Sequence, residues 1–515
     1  MQKTILITGA TDGIGLELAR LYAAQGARLV LVGRQAQGPV LSGAVLYCCA
    51  DLALAESAEW VRQFVQQQGF EWLDVVVHNA GVGFYGRLPD QSASSIEELL
   101  AVNLYAPLTL THALLPWLQR AQGQVVFISS VVAALPGPDY AVYAATKAAL
   151  AGFARSLRVE LRGQVTVQVV YPGATRTGMH AKMGITRETM DWEKFAPATA
   201  VAQQVARAIA RRRPSATIGV ANGLLRFAGR YGGGVIDPLL RRRRGADAAS
   251  VQAPAAARPH CVITGAADGI GRALAWQFGK AGYVVTGIDV DAAKAQETAV
   301  WLRANGVDAT FLEADLAQAA DVRGVALALA ERPLIDVFIH NAGISAVGHF
   351  AQIPMPRQSV VLDVNLRAPL LLTADLLRLG RMNAGGTWVF LSSLSHFVGY
   401  PGAAVYAASK DGLASFARSL RVASGAQANT LVVFPGPTRT VHARRYSPDN
   451  AREGTRMLPE ALATAVWQAV EARRVSLIPG AANRLLALAG WLLPGVMERA
   501  MARMILAKVG ERVMV

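Results

Sequence analysis

The sequence predicts an α/β protein: two tandem doubly wound domains, each built on a parallel sheet. Three observations carry that prediction. Five motifs of the first half return, in order, in the second half. Each half alternates helix-period segments with short unbroken apolar runs rich in Val, Ile and Leu, the pattern of strands buried on both faces. Each half also opens with a strand that runs into glycines and then a helix.

The repeat is read directly. The segment Thr8-Gly-Ala-Thr-Asp-Gly-Ile-Gly15 returns as Thr264-Gly-Ala-Ala-Asp-Gly-Ile-Gly271. His78-Asn-Ala-Gly81 returns as His340-Asn-Ala-Gly343, and Val102-Asn-Leu104 as Val364-Asn-Leu366. Tyr143-Ala-Ala-Thr-Lys147 returns as Tyr406-Ala-Ala-Ser-Lys410, and Pro172-Gly-Ala-Thr-Arg-Thr177 as Pro435-Gly-Pro-Thr-Arg-Thr440. The offset grows only from 256 at Gly9 and Gly265 to 263 at Pro172 and Pro435. Such a period is far above the ~20–50 residues of solenoid arrays, so the repeating unit is a whole domain. The expected division is 1–245 for the first domain, an Ala-rich linker with Pro254 at 246–258, and 259–515 for the second.

In chain order, strands are expected at 4–8, 28–32, 75–78, 125–128, 165–170 and 216–220, with a helix at 14–25 after the first glycine turn. A further helix is expected at 143–157. The second half repeats the plan, with strands at 261–264, 284–288, 337–340, 388–391, 430–434 and 475–478.

Composition narrows the classes. The 515 residues are 52% hydrophobic and 17% charged, which excludes a mainly disordered chain. Three cysteines, Cys48, Cys49 and Cys261, build no disulfide framework and have no metal-ligand spacing, so no metal is expected and a reducing, cytoplasmic compartment is. No secretory signal opens the chain, and the apolar run at 485–497, broken by Gly490 and Pro494, falls short of the ~20 residues of a spanning helix. The net charge of +15 favours acidic partners: phosphate-bearing cofactors, an acidic carrier protein or an anionic membrane surface. No finger, basic zipper or aromatic-basic RNA motif accompanies it, so nucleic acid is not expected.

The glycine turns come next. Gly9, Gly13 and Gly15, and again Gly265, Gly269 and Gly271, let the backbone turn tightly, and the helix that follows offers free N–H groups to a pyrophosphate. Beyond the third glycine, the second strand ends in Gly33-Arg34 in the first half and Ile288-Asp289 in the second. An acidic side chain there bonds the adenosine ribose and repels a 2′-phosphate, whereas an arginine pairs with that phosphate. NADP(H) is therefore expected in the first domain and NAD(H) in the second.

Tyr143 and Lys147 are four apart in a helical segment and share a face. A free phenol, with a pKa of about 10, is a poor base at neutral pH, and a lysine cation beside it, with an oxidised nicotinamide, favours the phenolate. Such a tyrosine suits acid/base work at an alcohol or ketone. Ser130 lies 13 residues before Tyr143, and Ser393 stands at the same distance before Tyr406 and Lys410.

With these residues in place, the chain resembles the short-chain dehydrogenase/reductase family over essentially all of both halves, as a fusion of two Rossmann-type domains. The resemblance implies that Tyr143 and Tyr406 are the acid/base residues, and that Lys147 and Lys410 lower the phenol pKa and bind the nicotinamide ribose. It implies that Ser130 and Ser393 polarise the substrate oxygen and that Asn103 and Asn365 hold a water of the proton relay. The turn residues Thr11, Asp12, Ile14, Asp268 and Ile270 join the glycines at the cofactor. Asp51-Leu52 and Asp315-Leu316 would contact the adenine. Asn79-Ala80-Gly81 and Asn341-Ala342-Gly343 would steady the sheet beside the cofactor. Pro172, Gly173, Thr175 and Thr177, with Pro435, Gly436, Thr438 and Thr440, would meet the nicotinamide end. Three departures stand out. His78 and His340 replace the commoner asparagine and are read as hydrogen-bonded strand-end residues. Asp12 and Asp268 precede the middle glycine, where NADP-preferring members often carry a basic residue. The usual member is also a single domain that oligomerises.

Three functional readings follow. In the first, both halves interconvert secondary alcohols and ketones, one oxidising with NAD and the other reducing with NADPH, to invert a hydroxyl centre or run two redox steps. In the second, one half is catalytic and the other is a built-in dimer partner, with a homodimer as a further assembly. The third is a nucleotide-sensing scaffold without chemistry. Substrate pockets in this family are built by the segments at 178–196 and 222–240, and at 441–458 and 483–506. Their apolar residues, such as Leu485, Leu486 and Trp491, point to a hydrophobic, acyl or polyketide-like substrate. The arginines beside them, including Arg241 to Arg244, leave contact with a carrier protein or a membrane surface open.

Overall fold

A computed structural model describes residues 2–185, 191–243, 258–425, 427–447, 449–451 and 453–510, which form two compact units. The first comprises Met1–Gly86 and Ser94–Gly233, the second Arg87–Ala93 and Gly234–Val515. The expected linker lies outside the described residues except for Arg258.

The first unit runs β1 (Thr4–Thr8), α1 (Gly13–Ala24), β2 (Arg28–Gly33), β3 (Val45–Cys49), β4 (Val75–His78), α2 (Ala106–Arg120), β5 (Gln124–Ile128), α3 (Ala141–Glu160), β6 (Thr166–Tyr171), α4 (Ala198–Ala210), β7 (Ser215–Thr217) and α5 (Val220–Tyr231), with shorter elements between. Its strands form one sheet in the order β3-β2-β1-β4-β5-β6-β7, and every neighbouring pair is parallel. Ile5, Ile7, Leu29 and Leu31 pack against Leu18 and Tyr22 of α1 and against Val201 and Val205 of α4. Leu6, Val30, Val76 and Phe127 are buried as well, so both faces of the sheet are covered. That double burial is why the strands read as unbroken apolar runs.

The second unit repeats this with β8 (His260–Thr264), α6 (Gly269–Lys280), β9 (Val284–Asp289), β10 (Ala309–Glu313), β11 (Ile335–His340), α7 (Ala368–Arg378), β12 (Met382–Leu391), α8 (Ala404–Ala423), β13 (Asn429–Val433), α9 (Pro459–Glu471), β14 (Ser476–Leu477) and α10 (Ala481–Leu492). The order is β10-β9-β8-β11-β12-β13-β14, again parallel throughout. In both sheets the strand order reverses at the first strand, which opens a crevice at the carboxyl ends of the central strands.

Two sequence expectations are corrected. β3 and β10 have no counterpart among the expected strands. Both are edge strands, and exposed residues such as Cys49, Thr310 and Glu313 break their apolar runs. The last strand of the first unit stops at Thr217 rather than running through to Val220, because Gly219 takes φ +89° and the next residues open α5.

Among the described residues, Ala93–Arg120 is a helical stretch of span-like length and hydropathy, but 67% of its apolar window is buried inside the protein. It is a core helix, and its turn at Ala101–Tyr105 is widened to a π-helix around Asn103. The same widening recurs at Asp363–Arg367 around Asn365. Single π-turns of this kind gather at functional positions because they re-aim one side chain.

Candidate active site

The glycine turn is held from beneath. The Thr8 hydroxyl accepts the N–H groups of Asn79 and Ala80 at 3.0 Å each, and Asn79 Nδ2 donates back to the carbonyls of Thr8 and Gly9. Thr264, Asn341 and Ala342 repeat the arrangement with Gly265. Gly13 and Gly269 take φ +56° and +54°, the left-handed region open to glycine. At Gly15 a Cβ would stand 2.2 Å from the Gly9 carbonyl, and at Gly271 it would stand 1.8 Å from the Gly265 carbonyl. Only glycine fits where strand, turn and helix meet this closely.

The other expected cofactor residues have defined neighbours. Gly13 lies against Thr177, and Gly269 against Thr440. Ile14 and Ile270 pack onto their cores, and Thr11 lies against Gly33. Asp12 pairs with Lys182 at 3.2 Å, and Asp268 bonds the Gly269 N–H at 2.7 Å with Lys294 at 3.5 Å. Asp51 and Asp315 each turn the chain by accepting a backbone N–H two residues on, from Ala53 and Ala317, and Leu52 and Leu316 beside them are buried. The hydroxyls of Thr175 and Thr438 close the loops after Pro172 and Pro435 onto the carbonyls of Gly173 and Gly436.

The reactive groups converge from separate elements. Tyr143 and Lys147 lie on α3, and Lys147 Nζ stands 5.7 Å from the Tyr143 ring centroid; Lys410 and Tyr406 on α8 show the same 5.7 Å. Ser130, just past β5, hydrogen-bonds the Tyr143 phenol, and Ser393 bonds that of Tyr406. Lys147 donates to the Ile128 carbonyl at 3.2 Å, and Lys410 to that of Leu391 at 3.0 Å. Asn103 takes the N–H of Val82 at 2.9 Å and returns a bond to its carbonyl, and Asn365 does likewise with Ile344. Gly81 and Gly343 touch both the asparagine and the lysine of their units.

Burial sets the electrostatics. It pushes Tyr143 up to about 12 and Tyr406 upward as well, opposed only by the serine bonds. It pulls Lys147 and Lys410 down to about 8. The chain alone therefore keeps the phenols protonated, and the expected phenolate depends on the further positive charge of an oxidised nicotinamide. A phenol in this state is poised to donate a proton. His78 and His340 take no part: each is buried, bonds Thr111 or Thr373 through Nε2, and is held near 3 by burial. Because Thr111 already donates to Pro107, its oxygen accepts the Nε2 proton and leaves Nδ1 bare.

Register corrects the cofactor comparison. Thr8 aligns with Val32 and Thr264 with Ile288, so Gly33, not Arg34, is the counterpart of Asp289. Arg34 lies one residue further on, exposed, 3.6 Å from Glu98. Asp289 accepts the N–H groups of Ala267 and Asp291.

In the second unit a cavity of about 940 Å³ opens beside Tyr406 and Ser393. Thr438 and Thr440 form one wall; Leu486, Met501 and Ile505 form an apolar one. Ser129 and Ser392 escaped the sequence reading, and Asn222 and Asn483 entered it only as the first residues of pocket segments. Ser129 and Ser392 bond the backbone carbonyls of Lys147 and Lys410 at 2.9 Å, and Asn222 and Asn483 pack over Gly173 and Gly436. Their signal was the repeat itself, since each stands at matching positions in both halves.

A glycine turn cradling backbone N–H groups, an acid at the second strand and a phenol-lysine-serine set together fit a bound nicotinamide dinucleotide. A family model described as short chain dehydrogenase matches residues 3–188 and 259–451, so both units carry it. The chain belongs to the short-chain dehydrogenase family. Dehydrogenase/reductase SDR family member 7B of Bos taurus is 35% identical over 211 residues, which are 37% of this chain and 62% of that protein. The chain thus spans less than two thirds of that relative's length. The 11-beta-hydroxysteroid dehydrogenase-like 4A of Arabidopsis thaliana is 30% identical over 204 residues, covering 37% of this chain and 67% of its own. Among solved structures, a short-chain dehydrogenase from Sphingobium yanoikuyae in complex with NADPH is 26% identical, with TM-score 0.38, over 49% of this chain and 99% of that one.

Proposed function

We propose that both units are NAD(P)(H)-dependent oxidoreductases that interconvert secondary alcohols and ketones on a hydrophobic substrate, the first with NADP(H) and the second with NAD(H). The observation that carries this reading is the convergence, in each unit, of tyrosine, serine, lysine and asparagine beside the glycine turn.

When bound, the nicotinamide supplies the hydride acceptor or donor. The chain's residues do the rest. The serine hydroxyl holds the substrate oxygen, and the phenol gives or takes its proton. The lysine places a cation beside the phenol, which favours the phenolate once further positive charge is near. Gly33 puts no carboxylate at this position and Arg34 beside it supplies a cation for a 2′-phosphate, whereas the Asp289 carboxylate repels one. The apolar cavity wall supports a lipophilic substrate, as does a relative named for hydroxysteroids.

Exposed apolar stripes recur in both units. Leu224 and Phe227 on α5, and Leu485, Leu488 and Leu492 on α10, are more than 45% exposed, with arginines alongside. They support contact with an anionic membrane surface as part of the proposal.

The test uses the full chain. Tyr143→Phe and Tyr406→Phe are assayed separately with NADPH and NADH on hydrophobic ketones, and product configuration is followed by chiral chromatography. Each substitution should silence one nucleotide-dependent activity. If one substitution removes all turnover and the other removes none, the unit whose tyrosine is dispensable is a supporting domain instead. If neither matters, the chemistry lies elsewhere.

A further inference from the structure

We propose that the second unit's cavity takes an apolar alcohol or ketone that also carries a carboxylate, and that Arg456 is the residue that recognises it. This rests on the reading of that cavity as a substrate pocket.

Arg456 lines the cavity. Its Nη2 donates to Ser447 Oγ at 2.9 Å, to the Asp449 carbonyl at 3.0 Å and to Asn450 Oδ1 at 2.6 Å. All three acceptors are neutral. Its Nη1 is buried and has no hydrogen-bond partner. The nearby carboxylate of Asp449 is already engaged, by Lys508 at 2.5 Å and by the Ala451 N–H at 2.8 Å. The guanidinium is therefore held in place with an unused donor and, among the described residues, no paired carboxylate. A buried donor atom left unpaired is costly until an acceptor joins it, even on a half-buried side chain. The planar guanidinium suits a carboxylate in geometry and charge.

The rest of the cavity agrees. Its apolar wall would take the body of the molecule, and its Ser345 hydroxyl is buried without a partner. The field of Arg456 reaches Tyr400, whose ring lies 6.2 Å from that of Tyr406, so the cation is near the reacting phenol.

The first unit lacks both groups. Thr438 pairs with Met457 as Thr175 pairs with Ala196, which puts Phe195 in the place of Arg456. Gly83 stands in the place of Ser345, covered by Met183. Among the described residues, this arginine and serine pair is therefore present in the second unit and not in the first.

The experiment uses the full chain carrying Tyr143→Phe, so that only the second unit turns over. Medium-chain keto acids are compared with their methyl esters, with NADH and NADPH, before and after Arg456→Gln. The acid should exceed its ester at least tenfold in kcat/KM, and Arg456→Gln should cut that ratio at least tenfold through KM for the acid. An acid-to-ester ratio near one, or one that Arg456→Gln leaves intact, overturns the anion site while ketone turnover stands. If no ketone turns over, the oxidoreductase reading fails, and calorimetry of the same acids and esters decides the anion site separately. Acid binding that Arg456→Gln abolishes supports the site, and equal binding of acid and ester overturns it.

Discussion

Asp289 accepts a hydrogen bond from the backbone N–H of Ala267 at 2.8 Å, so the carboxylate that ends β9 is pinned against the glycine turn. The matching position in the first unit is Gly33, with Arg34 next to it. A fixed negative charge in one unit, and in the other an exposed arginine one residue beyond the corresponding position, predict opposite nucleotide preferences. Asp289→Ala should weaken discrimination against NADPH in the Tyr143→Phe background by tenfold or more. Arg34→Ala should raise the KM for NADPH of the Tyr406→Phe protein by a similar factor and leave that for NADH nearly unchanged. Steady-state turnover with each nucleotide reads both, and an unchanged ratio in either variant defeats the corresponding assignment.

Lys147 is a buried cation whose pKa burial lowers from 10.5 to about 8. At pH 7 its charged state costs the fold roughly 3 kcal/mol relative to water. Lys147→Met should therefore cost the first unit at least a hundredfold in kcat while leaving its stability equal or higher. Sign follows from proton binding: between pH 8 and about 10 the unfolded lysine holds its proton and the folded one has lost it, so stability rises with pH in that window. Below pH 8 the dependence is flat. Denaturant melts across this range should show the slope in the parent protein and a smaller one in the variant.

His78 and His340 are held near 3 by burial, against an ordinary value of 6.5. Both remain neutral in the folded state while the unfolded chain takes up protons below pH 6.5. Stability is therefore lost as pH falls from 6.5 toward 3, by roughly 2 kcal/mol per histidine at pH 5. His78→Asn should flatten the acid limb of the first unit only. A melting profile as steep as the parent's would show that some other group sets the acid limit.

Gly15→Ala would place a methyl 2.2 Å from the Gly9 carbonyl and 2.4 Å from Asn79 Nδ2. The turn must open to admit it, and the close approach of helix and strand that forms the cradle is lost. NADPH binding by the first unit should fall more than tenfold, with NADH binding by the second preserved. Retention of NADPH affinity within twofold would falsify the cradle.

Much of this was legible in the chain itself. Strands buried on both faces of a parallel sheet must be continuously apolar, so the central strands announced themselves, and the repeat doubled every signal. Spacing placed Tyr143 with Lys147 and Tyr406 with Lys410, because residues four apart on a helix share a face whatever surrounds them. Edge strands such as Val45–Cys49 and Ala309–Glu313 stayed hidden, since a neighbour on one side only lets polar residues interrupt the pattern. Register likewise had to come from pairing: a count along the chain matched Arg34 with Asp289, and the ladder moved the match to Gly33. Whether a phenol is acidic depends on how much water reaches it, and no local pattern encodes that. The same holds for Arg456, whose partners are assembled by loops and whose importance lies in a donor left unused. The linear order of residues determined the architecture and the candidate tyrosine-lysine pairs, because both rest on short-range periodicity. Desolvation, strand register and charge balance in the cavity were decided only by tertiary packing, because each depends on residues far apart in the chain.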